Sequence, residues 1–200
     1  MEFIIRGLIL IFSITIHECM HAWTSSFLGD QTARKLGRVT LNPVPHIDII
    51  GTILLPLLLI VSGSSFVIGW AKPVPINPNN FQNPRVGLAL TSIAGPMSNF
   101  VIAGILGVAL KFFVADGSVA ASMLLYAIVL NVVLAVFNLI PIPPLDGSKA
   151  LAFVFPALEN PKFETYGPFV FLAFLLLNGF VLLTPIINFL VHILTGKILL

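Results

Sequence analysis

Long apolar stretches, separated by short polar ones, set the pattern of this chain. Apolar runs cover residues 3–28, 49–68, 86–114 and 118–140, and a last block covers 166–200, broken near Asn178-Gly179 and Thr184-Pro185. About 20 helical residues cross ~30 Å of hydrocarbon. The pattern therefore predicts an all-α polytopic membrane protein with about five to six membrane helices. The second run is the weakest. Its strongest part, Ile49 to Val61, gives only about 20 Å of helix, Pro56 interrupts it, and Ser62-Gly63-Ser64-Ser65 follows. Between the runs, Pro73, Pro75 and Pro78 exclude a helix and favour an extended segment, as does the proline-rich stretch 141–147. Residues 36–42 and 67–76 have strand-like composition and predict short β-hairpin or strand elements. There is no internal repeat. The chain reads as a single domain, 1–200, with a core at about 5–150 and further helices at about 166–200.

Composition supports this reading. Hydrophobic residues make up 58 % of the chain and charged residues 9 %, against about 25 % charged in an ordinary soluble domain. This excludes a disordered chain, a disulfide scaffold and a nucleic-acid binder. Cys19 is the only cysteine, so no internal disulfide forms. Arg6 and the apolar run after it look like a signal peptide, but no small-residue cleavage site follows. The run instead carries His17, Glu18 and His21 and reads as a retained helix.

These three residues form His17-Glu18-Cys19-Met20-His21. On a helix, positions i and i+4 share a face, so both imidazoles reach one metal ion, and the intervening Glu can take a proton from metal-bound water. Zinc suits the imidazoles and calls for a third ligand. Ionisable groups inside an apolar helix cost about 2.5–3.5 kcal/mol each on insertion scales, which asks for a functional reason. Asp146 follows an apolar helix and a proline-rich turn, which puts a carboxylate at membrane depth. It reads equally as the third ligand or as an ordinary Asp-Gly surface turn.

The chain resembles the site-2 protease family of intramembrane zinc metalloproteases. The resemblance rests on His17–His21, Gly37-Arg-Val-Thr-Leu-Asn-Pro43, His46-Ile-Asp48, Gly95-Pro-Met-Ser-Asn99 and Asn138-Leu-Ile-Pro-Ile-Pro-Pro-Leu-Asp-Gly147, which keep the family's order over residues 5–150. It implies that His17, His21 and Asp146 bind Zn2+, that Glu18 is the catalytic base, and that Asn138 holds substrate near the metal. The substrate implied is a membrane protein cut in or near a transmembrane segment. Ser148-Lys149 stands where a second glycine is common in the family. No PDZ or CBS domain is evident, as in its short branch.

Topology tests this reading. His17–His21 lie towards the end of the first run and Asp146 lies past the end of the fourth. If every run crossed once, these ends would fall on opposite faces. One run must therefore fail to cross, and the weak second run is predicted to be re-entrant. Then Arg34, Lys35, Arg38, Lys72, Arg85, Lys149 and Lys162 share one face, opposite Arg6 and Lys111. By the positive-inside rule the first face is cytoplasmic. This places the site nearer the cytoplasm of a prokaryotic cell membrane. Asn131 is expected to bond a neighbouring helix. Asn99 is read as a packing residue or a substrate contact. His46 and Asp48 are read as local hydrogen-bonding groups or metal contacts. The rival function is a metal-binding transporter or channel, in which Glu18 would be one more ligand.

Overall fold

The computed structural model describes residues 2–63 and 69–197. It is 75 % helical. Helix α1 runs Glu2–Phe27, the short α2 Thr32–Lys35, and α3 Leu55–Val61, the last preceded by a π-helical segment Ile49–Leu54. Helix α4 runs Pro84–Phe113, α5 Val119–Asn138, α6 Asp146–Val154, α7 Pro161–Leu176 and α8 Phe180–Thr195.

Local chemistry explains the boundaries. Asn83 caps α4 through the Val86 amide and Pro84 occupies its first turn, where a missing N–H costs nothing. Ser118 caps α5 through Ala121. Helix α7 ends at Asn178, whose φ of 58° lets the Gly179 amide reach the Phe174 carbonyl and its own amide reach that of Leu175. This left-handed stop turns α8 away by 77°.

Helix α4 is the centre of the molecule, packed on α1, α5, α6 and α8. Its inner face is made of small residues, Gly87, Ala89, Gly95, Ala103 and Gly107, which let backbones approach. The large apolar side chains of the helices, such as Phe3, Phe12, Ile105, Phe113, Phe169 and Leu182, point outward. A soluble protein would bury these; here they form a lipid-facing surface.

Among the described residues three helices, α1, α4 and α5, are long and apolar enough to cross a membrane, and the bent pair α7–α8 makes four if it is one span. The chain is a multi-pass membrane protein, but the expectation of five to six membrane helices is too high. The last apolar block, broken at its middle, accounts for the difference. The second apolar run is predicted to be re-entrant, and the described residues that flank it meet. The Trp70 amide donates to the Gly51 carbonyl at 3.1 Å and the Lys72 amide to the His46 carbonyl at 2.9 Å. Thr52 Oγ1 closes the same neck by donating to the Trp70 carbonyl at 2.8 Å. A crossing would separate these ends by about 30 Å. Gly51 is required at the neck, because a Cβ there would strike the Trp70 ring.

The β-hairpin and strand elements expected at 36–42 and 67–76 are a second correction: no strand occurs among the described residues. Val67 and Ile68, like Ser64 and Ser65, lie outside the described residues. Residues 69–76 form an irregular arm with no ladder partner. Pro73 and Pro75 have no N–H to give, and the Lys72 and Pro73 carbonyls accept from the buried Arg38 guanidinium instead. Residues 36–42 turn at Gly37, which has φ 68°.

Candidate active site

Helix α1 presents His17 and His21 one turn apart on its buried face. Their Nε2 atoms lie 3.0 Å from each other, and each lies 3.2 Å from Asp146 Oδ2. Asp146 opens α6, brought there by the tight turn that follows α5, in which the Leu145 amide bonds the Ile142 carbonyl. The structure thus joins residues from the first helix and from beyond the fifth. It removes the surface-turn reading of Asp146, since no partner for its Oδ2 is nearer than the two imidazoles.

Protons decide what this cluster can hold. His21 Nδ1 lies 2.6 Å from the Thr91 carbonyl, which can only accept, so this nitrogen carries the proton. His17 Nδ1 lies 2.6 Å from Asn99 Oδ1 and donates to it. In a neutral imidazole the other nitrogen is then a bare lone pair. With both imidazoles neutral, two Nε2 lone pairs and a carboxylate oxygen face one point, an arrangement that a proton or a metal ion between them relieves. His17, His21 and Asp146 form the one His/Cys/Asp/Glu group among the described residues whose ligand atoms all lie within 4.8 Å of one another. The donor set, two imidazoles and a carboxylate, fits a small divalent cation.

Gly95 on α4 packs against this point. A Cβ there would collide with Nε2 of both histidines. Its successor Pro96 lacks the N–H that would bond the Ser92 carbonyl, and Ser92 borders the site.

The cluster opens into a cavity of about 540 Å³. Glu18 and Asn138 line it on the polar side, Trp70, Pro73 and Val74 of the arm on another, and Phe171 beyond. Glu18 is half-buried and has no hydrogen bond or ion pair among the described residues, so its carboxylate is open to the cavity. Asn138 spends one N–H on the Leu134 carbonyl at 2.9 Å and keeps the rest of its amide for the cavity.

Other sequence-predicted residues sit elsewhere. Asn99 is fully buried and does not line the cavity; its partners are His17, Asn131 and the Ser13 carbonyl. Of its two readings, packing residue or substrate contact, these bonds match the first, and one of them supports a histidine. Asn131 bonds across helices as expected, through Ser13 and Asn99. His46 bonds the Thr40 carbonyl and Asp48 caps the π-helical segment; neither joins the cluster. Thr91, Gly95 and Arg38 were not singled out. A signal for the first two existed, because Thr91, Gly95 and Asn99 fall at i, i+4 and i+8 on one face of an apolar helix.

Comparisons with known proteins identify the family. Residues 114–178, which include Asn138 and Asp146, match Peptidase family M50. The chain is 40 % identical over 196 residues to "Putative zinc metalloprotease YwhC" of Bacillus subtilis, covering 90 % of this chain and 84 % of that protein. It is 33 % identical over 140 residues to "Putative zinc metalloprotease Rip2" of Mycolicibacterium smegmatis and 31 % identical over 140 residues to its namesake in Mycobacterium tuberculosis. In both cases it spans 52 % of the relative. No solved structure matches the chain.

Proposed function

Since the chain belongs to peptidase family M50, the site-2 protease family, we propose that it is a zinc-dependent endopeptidase that hydrolyses peptide bonds in or near transmembrane segments of other membrane proteins. The observation that carries this reading is the meeting of three lone pairs at His17, His21 and Asp146, with both imidazole protons committed elsewhere. Neighbouring ligands of a tetrahedral zinc with ~2.0–2.1 Å bonds stand about 3.3 Å apart, close to the separations found. Zinc bound there supplies Lewis acidity towards a scissile carbonyl and makes water nucleophilic near neutral pH.

The chain's own groups do the rest. Glu18 stands beside the first imidazole with no competing hydrogen bond among the described residues, so its carboxylate accepts a proton from water and returns it to the leaving nitrogen. Asn138 holds the substrate backbone with its free amide positions. A helical substrate hides its peptide bonds and must be drawn out. The arm at 69–76 borders the cavity outside any helix or strand, and an extended substrate lies along it by main-chain hydrogen bonds. Residues 1–200 act as one catalytic unit. The neck between His46 and Lys72 supports a re-entrant segment, and the basic loops favour a site towards the cytoplasm of a prokaryotic cell membrane.

The transporter reading is not favoured. It would recruit Glu18 as a ligand, and Glu18 lies outside the three-residue group. Glu18→Gln is the direct test. Zinc content should stay at the wild-type level while cleavage of a tagged membrane substrate falls about 10²–10⁴-fold. Undiminished cleavage would remove the assigned role.

A further inference from the structure

The polar residues buried between α1, α4 and α5 outnumber those the reaction touches. Ser13, Asn99 and Asn131 are each at most 5 % exposed, and none borders the cavity. They form a connected chain. Asn131 Nδ2 donates to the Ala127 carbonyl at 2.9 Å and to Ser13 Oγ at 3.0 Å. Asn131 Oδ1 accepts from Asn99 Nδ2 at 2.8 Å. Asn99 Nδ2 also faces the Ser13 carbonyl at 3.4 Å. Asn99 Oδ1 accepts from His17 Nδ1 at 2.6 Å.

The direction of every bond in this chain is forced. A backbone carbonyl only accepts. The Ala127 carbonyl therefore demands the amide nitrogen of Asn131, which turns the Asn131 oxygen towards Asn99. That oxygen, with the Ser13 carbonyl, demands the nitrogen of Asn99, which turns the Asn99 oxygen towards His17. His17 must then carry its proton on Nδ1 and leave Nε2 bare. Reversing any amide would set oxygen against oxygen among buried side chains, and burying an unpaired polar group costs about 1–3 kcal/mol. His21 needs no such chain, because its Nδ1 meets the Thr91 carbonyl directly.

We propose that Asn131 is a positioning residue: through Asn99 it fixes the tautomer of His17, so that the Nε2 lone pair is already presented to the metal before any ion arrives. The use of that lone pair rests on the metal reading above; the tautomer itself does not. Helix α5 thus contributes to the site twice, once at its end through Asn138 and once from within through a residue that touches no reactant.

The test reads ring-nitrogen chemical shifts of 15N-histidine-labelled, full-length, metal-free protein. The wild type should show His17 protonated at Nδ1; a His17 protonated at Nε2 with a pyridine-type Nδ1 would overturn the proposal without any variant. Asn131→Leu should spread His17 over both tautomers while His21, the internal control, keeps its Nδ1 proton. Asn131→Asp, kept neutral by its apolar burial, can donate its O–H to the Ala127 carbonyl while its other oxygen faces Asn99, and should restore the wild-type His17 pattern. An unchanged His17 in Asn131→Leu, or an equal disturbance at His21, would overturn the relay. A zinc titration against a competing chelator completes the set, with Asn131→Leu binding about 10–100-fold more weakly. Wild-type protein that takes up no zinc would count against the metal site alone, since the histidine shifts judge the relay by themselves.

Discussion

The seam between α1, α4 and α5 and the arm at 69–80 both border the cavity, and they are built on opposite principles. In the seam, polar side chains from three helices satisfy one another in an apolar setting, and regular helix hydrogen bonding continues around them. In the arm there is no strand and no α-helix, only a single 3-10 turn at Pro78–Asn80, and two charged side chains hold the backbone. Arg38 binds the Lys72 and Pro73 carbonyls, and the fully buried Asp30 binds the Asn77 amide and the Asn80 side chain. The difference divides the labour. The seam fixes atoms to the accuracy that metal chemistry needs. The arm keeps an edge extended and bordering the cavity, where a substrate of variable sequence can lie. Substitutions in the seam should therefore alter metal binding and turnover, whereas substitutions in the arm should alter substrate affinity and leave the metal in place.

The largest effect should come from the seam's ligands. Asp146→Ala removes the one negative charge at the meeting point of the lone pairs. Zinc affinity should fall by more than the about 10–100-fold that loss of an outer partner costs, and cleavage should vanish with it. Metal analysis of purified protein, beside an activity assay, measures both. Gly95→Ala comes next. The added methyl collides with both Nε2 atoms, so affinity should drop about 10–100-fold, at an overpacking cost of about 1–3 kcal/mol. Wild-type zinc affinity in Gly95→Ala would mean that α4 does not press on the imidazoles.

The same contrast explains how much of the molecule could be read from its sequence. The helices α1, α4 and α5 were legible, because apolar length is a strong signal and the bilayer leaves few alternatives. The imidazole pair was legible too, because helical periodicity puts His17 and His21 on one face. Asp146 was ambiguous by itself; the pairing of α1 with the turn after α5 is a long-range fact that local chemistry does not fix. Asn131 was visible as a polar residue needing a partner, but the partner, and so the relay to His17, depends on three helices meeting. The arm was misread as strand. Its composition is extended, but a strand needs a second strand, and Arg38 and Asp30 supply the bonds that a ladder would. The last apolar block could not be resolved into spans, because one left-handed residue, Asn178, sets the bend.

In the arm the effects should be smaller and of a different kind. Arg38→Met keeps the stem of the side chain and withdraws its donors from two carbonyls. KM for a membrane substrate should rise several-fold, with kcat and zinc content close to wild type. A fall in zinc content would show that the arm and the seam are not separable.

The smallest effect, and the one with a pH signature, belongs to Asp30. Burial pushes its carboxyl pKa up, but hydrogen bonds from Thr32, Asn80 and Asn77 outweigh burial and hold it below the usual range. Because the folded pKa lies below the unfolded one of about 3.9, the ionised group stabilises the fold in full above that value. The contribution disappears as pH falls through the lower, folded pKa. The Asn77 amide, which donates to Asp30 Oδ2 at 2.7 Å, should therefore be protected from hydrogen exchange at neutral pH and lose protection only in strong acid. In Asp30→Asn an amide nitrogen faces the Asn77 N–H, which should cost about 1–3 kcal/mol and open the arm at every pH, with the acid step gone. Zinc binding at neutral pH should be unchanged, because no hydrogen bond links Asp30 to the histidines. An Asp30→Asn variant that still loses Asn77 protection at the wild-type acid step would assign that step to another carboxylate.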